Sequence, residues 1–125
     1  MAIQFFICTK CKKIVEVLQS SSCQTLCCGQ EMKELKANTS DGAQEKHVPV
    51  VEINGDAVHV KVGSVAHPME ADHWIQWIAL ETSRGVQKVN LAPQEKPEAD
   101  FLLNGAKPLV AYEYCNKHGL WKAEL

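Results

Sequence analysis

Apolar positions are sparse at the start of this chain and alternate later in it. From His47 onward the spacing is that of β-strands. Val48, Val50, Val51 and Ile53 run up to Asn54-Gly55, and Val58, Val60 and Val62 recur at every second position beyond it. An Asn-Gly pair between two such runs predicts a tight hairpin, because both residues accept the positive φ that the turn demands. Trp74 to Leu80 and Val86 to Leu91, separated by Ser83-Arg84-Gly85, predict a second hairpin. His67-Pro68 predicts an irregular loop, since the residue before proline is driven to extended geometry. Pro93 to Pro97 reads as a turn, and Phe101 to Leu103 and Leu109 to Tyr114 read as two further strands. No segment has a helical period and none repeats. Short strands punctuated by Gly, Pro and Asn predict an antiparallel β-sandwich.

The first 36 residues are different. Ile14, Val15, Val17 and Leu18 are their main apolar content, too little for an independent core. Domains below about 40 residues need a metal, a disulfide or a partner chain to hold together. The stretch Ala37 to Gln44 is polar and reads as a linker. The expected organisation is a small metal domain over residues 1–36 and a larger β domain over 37–125, with 37–46 as linker and loop leading into the site.

Composition narrows the function. A 46% hydrophobic and 22% charged chain is that of an ordinary globular protein. A net charge of −2 provides no strong field for nucleic acid. The apolar runs are far too short to span a membrane. Met1 to Phe6 has no basic or long apolar segment, so no export signal and a cytoplasmic location are expected. In a reducing compartment the 6 cysteines are better explained as metal ligands than as disulfides.

Cys8-Thr9-Lys10-Cys11 is a C-x-x-C knuckle, whose spacing lets both sulfurs bind one ion. Cys27-Cys28-Gly29 follows downstream. Together they predict a tetrahedral four-thiolate site for iron or zinc. Neighbouring side chains in an extended segment point apart, so Cys27 and Cys28 can share a metal only if the backbone bends, and Gly29 eases that bend. A purely structural zinc clip remains an alternative for these four residues. Cys23, in Ser20-Ser21-Ser22-Cys23-Gln24-Thr25, reads as a free thiol in a turn.

A second set comprises His47, His67, His73, Cys115 and His118. Four imidazoles and a thiol exceed what a closed structural zinc site requires. They suit a redox metal, iron, with one coordination position open to a small molecule. Their placement at loop edges and strand ends is where rigid β scaffolds carry function. His59, inside the alternating run, reads instead as a solvent-facing strand residue.

Three segments carry a resemblance: Glu45-Lys46-His47-Val48-Pro49, Gly63-Ser64-Val65-Ala66-His67-Pro68-Met69 and Tyr114-Cys115-Asn116-Lys117-His118-Gly119. They closely resemble the desulfoferrodoxins, the two-iron superoxide reductases, and Cys8, Cys11, Cys27 and Cys28 resemble that family's desulforedoxin-like N-terminal domain. The resemblance covers nearly the whole chain. It implies a mainly β protein, with a small rubredoxin/desulforedoxin-like metal domain followed by an immunoglobulin-like antiparallel β-sandwich. It implies two iron ions: Fe(Cys)4 on the four upstream cysteines, and Fe(His)4Cys with His47, His67, His73 and His118 equatorial and Cys115 axial. His118 would bind through Nδ1 and the others through Nε2. One detail departs from the family pattern: Lys12 stands where a glycine usually follows the C-x-x-C knuckle. Cys23 has no family role.

The activity implied is one-electron reduction of superoxide to hydrogen peroxide, with electrons from a rubredoxin-like donor and a homodimer as the assembly. Lys46 would attract the anion, and Glu45 would be the sixth ligand of the oxidised iron. The alternative is a non-catalytic two-iron electron carrier, whose second iron would be coordinatively closed. A zinc-stabilised binding module, with histidines that do not converge, is a third reading.

Overall fold

A computed structural model describes residues 3–125. Met1 and Ala2, at the start of the segment read for an export signal, lie outside the described residues. The chain forms two compact units, Met1–Lys36 and Ala37–Leu125.

In the first unit, β1 (Phe5–Ile7) lies between β2 (Ile14–Glu16) and β5 (Lys33–Glu34), all antiparallel. β3 (Leu26–Cys27) and β4 (Gln30–Glu31) make a separate hairpin. Strands of two or three residues are too short for alternation to register, so the sequence pattern does not reveal them. Buried hydrophobic residues here are only Phe5, Cys8 and Met32 among the described residues. The predicted bend after Cys27 is a two-residue turn with Cys28 at φ 53° and Gly29 at φ 74°. Two successive left-handed residues are what a type I′ hairpin requires.

The second unit is a sandwich of two antiparallel sheets. One has the order β10 (Glu98–Leu102), β7 (Ala57–Val62), β6 (Pro49–Asn54), and Asn54 and Ala57 close the predicted Asn-Gly hairpin. The other has the order β12 (Gly119–Glu124), β11 (Pro108–Cys115), β8 (Ile75–Thr82), β9 (Gly85–Asn90). Val58, Val60 and Val62 from the first sheet pack with Ile75, Ile78, Leu80, Ala111 and Cys115 from the second. Removing one such aliphatic side chain from water stabilises the fold by about 1.5–3 kcal/mol.

Two elements depart from the sequence reading. Gln44–His47 forms a single α-helical turn, α1, so His47 ends a helix rather than opening a strand. Four residues cannot express a helical period. β12 was not foreseen either, because its buried neighbours Leu120 and Trp121 break the apolar alternation.

His59 faces outward, as expected of its place in β7, but it is not idle. Its Nδ1 lies 2.7 Å from Asp100 Oδ1 and its Nε2 lies 2.8 Å from Glu98 Oε1, both on β10. Carboxylates accept only, so the imidazolium, with a proton on each nitrogen, fits this geometry. The hydrogen bond to Asp100 is the largest influence raising the His59 pKa; burial opposes it, and Glu98 adds to the rise. A raised histidine pKa adds stability in full below the ordinary value of 6.5, and that stability is lost as pH rises through the raised value. His59→Gln is therefore expected to cost a few tenths to about 1 kcal/mol near pH 6, typical of a half-exposed pair. The difference from the parent should fade by pH 9, as measured by denaturant unfolding. A difference independent of pH would show that the clasp does not titrate.

Candidate metal centres

The first cluster joins Cys8, Cys11, Cys27 and Cys28, whose sulfurs all lie within 4.8 Å of one another. Cys11 Sγ is 3.6 Å from Cys27 Sγ, and Cys27 Sγ is 4.0 Å from Cys28 Sγ. Sulfurs bound at about 2.3 Å to one tetrahedral ion would be about 3.8 Å apart. A disulfide would hold them at about 2.05 Å, so the spacing is that of shared ligands. The electrostatics agree. The Cys11 N–H, 3.5 Å from Cys8 Sγ, is the largest influence lowering the Cys8 pKa to about 6. Donation chiefly to Cys11 holds Cys28 protonated, up to about 12, and raises Cys27 as well. Four crowded sulfurs cannot all ionise unless a cation joins them. Cys23 is exposed, outside the cluster, with its N–H on Ser21 Oγ at 3.2 Å.

Lys12 closes the knuckle at φ 67°, its N–H donating to Cys8 O at 2.8 Å. That is the left-handed conformation a glycine adopts freely, and it costs a residue with Cβ about 1–2 kcal/mol. Lys12→Gly relieves the strain but adds freedom to the unfolded chain, so a net gain of up to about 1 kcal/mol is expected. Lys12→Ile should lose more than about 1 kcal/mol, because a β-branched residue fits this region poorly. Thermal unfolding and the rate of metal loss to a chelator measure both. Equal behaviour of the two variants would show that φ at this position carries no strain.

The second cluster lies at one end of the sandwich. α1 ends on His47, the loop before β8 carries His67 and His73, and Cys115 ends β11. The β11–β8 register shifts between Tyr114 and Cys115. Such a bulge re-aims a side chain at the end of a ladder. One donor atom from each of His47, His67, His73 and Cys115 lies within 4.8 Å of the others. The His118 ring completes a cycle. Successive centroids are 4.7 Å (His47–His67), 4.9 Å (His67–His73), 5.1 Å (His73–His118) and 4.8 Å (His118–His47).

These residues fit a metal ion on three grounds. His47 Nδ1 is 2.7 Å from Ala43 O, and His67 Nδ1 is 2.7 Å from Pro68 O. Each Nδ1–H donates there, which leaves a bare lone pair on each Nε2. Those two Nε2 atoms face each other at 3.1 Å. Two lone pairs repel unless a cation lies between them, and nitrogens at right angles about an ion at about 2.1 Å would be about 3.0 Å apart. The buried His73 Nε2 has no hydrogen-bond partner. Finally, burial lowers the pKa of His47 and His73 and brings His67 to about 4, so the rings are neutral donors at pH 7. Burial raises the Cys115 thiol, while the N–H groups of Lys117 and His118 pull the other way. A cation is what makes this buried sulfur a thiolate.

His118 differs from the other three rings. Its Nδ1 donates to Asp41 O at 2.8 Å, and it is not among the four converging donors. Ligation through Nδ1, as the resemblance implies, requires the ring to turn and give up that bond. Glu45 and Lys46 sit on α1 beside His47. The Glu45 side chain is exposed and outside the cluster, whereas Lys46 is half-buried and its charge helps depress the His47 pKa. The segment that carries them is held from behind. Glu45 O accepts Val65 N–H at 2.9 Å and Ser64 Oγ–H at 3.4 Å.

Two neighbours were missed by sequence reasoning. Trp121 stacks on His47 with centroids 5.1 Å apart, and its indole N–H donates to His118 O at 2.9 Å. Glu113, two positions before Cys115 on β11, is fully buried with both carboxyl oxygens unpartnered. Burial alone holds its pKa well above the usual carboxylate range. A glutamate within an apolar run was the one available signal.

Comparison with known proteins gives the same organisation. The family pattern described as desulfoferrodoxin matches residues 39–124, and the one described as its N-terminal domain matches residues 2–35. The chain belongs to the desulfoferrodoxin family. A desulfoferrodoxin from Nitratidesulfovibrio vulgaris is 50% identical over 121 residues, 97% of this chain and 95% of that protein. A superoxide reductase from Thermococcus kodakarensis is 37% identical over 105 residues, covering 70% of this chain and 91% of its own. The crystal structure of the superoxide reductase from Treponema pallidum superposes with a TM-score of 0.83 at 37% identity, over 99% of this chain and 100% of that one. Within the desulfoferrodoxin match, the N-terminal pattern spans all four clustered cysteines, and the larger one spans His47, His67, His73, Cys115 and His118.

Proposed function

We propose that this chain is a superoxide reductase: superoxide, one electron and two protons give hydrogen peroxide. The observation that carries this reading is the convergence of His47, His67, His73 and Cys115 on one point, with His118 closing the ring of imidazoles. We assign these five residues to one iron and Cys8, Cys11, Cys27 and Cys28 to a second. These histidines and Cys115 would hold an iron ion, which would supply the one-electron chemistry for superoxide, with a donor restoring the electron. The neutral imidazoles of His47, His67 and His73 bring no charge of their own, so the Cys115 thiolate is the anionic donor that favours a cationic metal there. The N–H groups of Lys117 and His118 hold the sulfur and limit its basicity. Lys46, beside His47, draws the anionic substrate toward the site. Glu45, exposed on the same turn, would be the carboxylate that ligates the oxidised iron. The electron comes from a rubredoxin-like donor, and the working form is a cytoplasmic homodimer.

Backbone packing positions Lys46. A Cβ on Gly63 would come within 2.7 Å of Glu45 O and Lys46 C, and Gly63 has φ +76°. No real Cβ contact is that short, so Gly63→Ala must push the Glu45–Lys46 segment outward. Misplacing a binding group by about 1 Å can cost on the order of 100-fold in rate. Gly63→Ala is expected to slow superoxide reduction about tenfold or more with the iron content of both centres unchanged. A parent-like rate would remove Gly63 from the positioning of Lys46.

Pulse radiolysis of the reduced protein tests the function itself. A superoxide reductase consumes superoxide in a second-order reaction with the second centre and forms peroxide without releasing oxygen. A non-catalytic two-iron electron carrier would leave superoxide to its spontaneous decay.

A further inference from the structure

His73, in the loop before β8, and Cys115, at the end of β11, approach the same point where the ladder between β8 and β11 is irregular. The register passes from Tyr114↔Trp77 to Cys115↔Ile75, so a shift falls immediately before Cys115. Sheet pairing therefore does not by itself fix how far His73 stands from Cys115. Asn116 does. Its side-chain Oδ1 accepts the Trp74 N–H at 3.0 Å, and its Nδ2 donates to Asp72 O at 3.0 Å. Its own N–H is 3.4 Å from Trp74 O. One amide thus grips the residue before His73 and the residue after it, and it is covalently joined to Cys115. The other side of His73 is pinned as well: His73 N–H donates to Glu70 O at 3.1 Å, and Glu70 N–H donates to His73 O at 2.8 Å.

We infer that Asn116 is a positioning residue that sets His73 against Cys115, holding one imidazole and the sulfur in mutual register where the sheet does not. No other residue type is the same size and supplies both an acceptor for Trp74 and a donor for Asp72. Aspartate has the shape but places an oxygen against the Asp72 carbonyl, so it keeps one bond and turns the other into a repulsion. Alanine loses both. The inference rests on the assignment of His73 and Cys115 to one metal ion. Its effect would be felt at the second centre alone, since the four clustered cysteines belong to another unit.

The test uses the full chain loaded with iron, comparing the parent with Asn116→Ala and Asn116→Asp. Partners that orient metal ligands typically contribute 10- to 100-fold in metal affinity. Iron at the second centre should be lost to a chelator about tenfold faster or more in Asn116→Ala, and by a smaller factor in Asn116→Asp. The first centre should lose iron at the parent rate in both. The thiolate-to-iron absorption band of the second centre should also shift, which a general loss of stability would not cause. Parent-like loss rates and an unmoved band in both variants would overturn the inference. So would faster loss with an unmoved band and a matching fall in the unfolding temperature of the metal-free chain, since that pattern marks a structural role. If the parent chain itself holds iron only at the cysteine cluster, the ligand assignment has failed rather than the role of Asn116.

Discussion

Cys115→Ser is expected to abolish the thiolate absorption of the second centre and to cut superoxide reduction on the order of 100-fold or more, with the first centre intact. Ser is nearly isosteric with Cys, and the site is fully buried, so packing changes little. The N–H groups of Lys117 and His118 that face the sulfur can donate to a hydroxyl oxygen instead, which spares the buried polar atom a penalty of about 1–3 kcal/mol. The fold should survive. What is lost is chemical. A thiol raised by burial still becomes a thiolate beside a cation, whereas a serine hydroxyl stays protonated and is a poor, hard donor. The histidines remain, so iron should still bind, more weakly. Iron analysis, visible spectra and pulse radiolysis on the variant measure the three effects separately. Retention of activity within a few-fold of the parent would exclude the sulfur from the working centre.

Lys46→Ala should lower the second-order rate with superoxide about 10- to 100-fold at low ionic strength. Lys46 is half-buried on the turn that ends in His47, and its charge is felt at that ring. A cation placed at the mouth of a site raises the local concentration of a small anion. The effect must be screened: at about 0.1 M salt the Debye length is about 10 Å, so parent and variant should converge as salt is added. The parent rate should fall with salt and the variant rate should change little. The same salt slope in both would mean that the field steering superoxide comes from elsewhere. Lys46→Arg, which keeps the charge, should retain most of the rate.

Much of this was legible in the sequence, for identifiable reasons. The alternating valines of β7 and the Asn-Gly turn before them encode their geometry in a period of two, and the structure places Val58, Val60 and Val62 in the core. The clustering of these histidines and cysteines was legible because such residues in these numbers have few other uses, and because the surrounding motifs resemble a family. The strands of the first unit, α1 and β12 were not legible: each is too short, or too evenly buried, for periodicity to betray it. The bend at Cys28 was foreseen from Gly29, but Cys28 itself at φ 53° was not. Nor could spacing reveal the Asn116 clamp, since its partners Asp72 and Trp74 lie more than forty positions away. The linker reading of Ala37 to Gln44 captured its polarity only. In the folded unit Asn38 pairs with Lys122 through Oδ1 at 2.9 Å, and Ala43 O anchors His47.

The most direct test is an anomalous difference map at the iron edge from crystals of the iron-loaded protein. Two peaks per chain are expected, one central to the four clustered sulfurs and one bonded to His47 Nε2, His67 Nε2, His73 Nε2 and Cys115 Sγ. A single peak at the cysteines, or a second peak that touches fewer than three of those four atoms, would contradict the convergence on which the proposed activity depends.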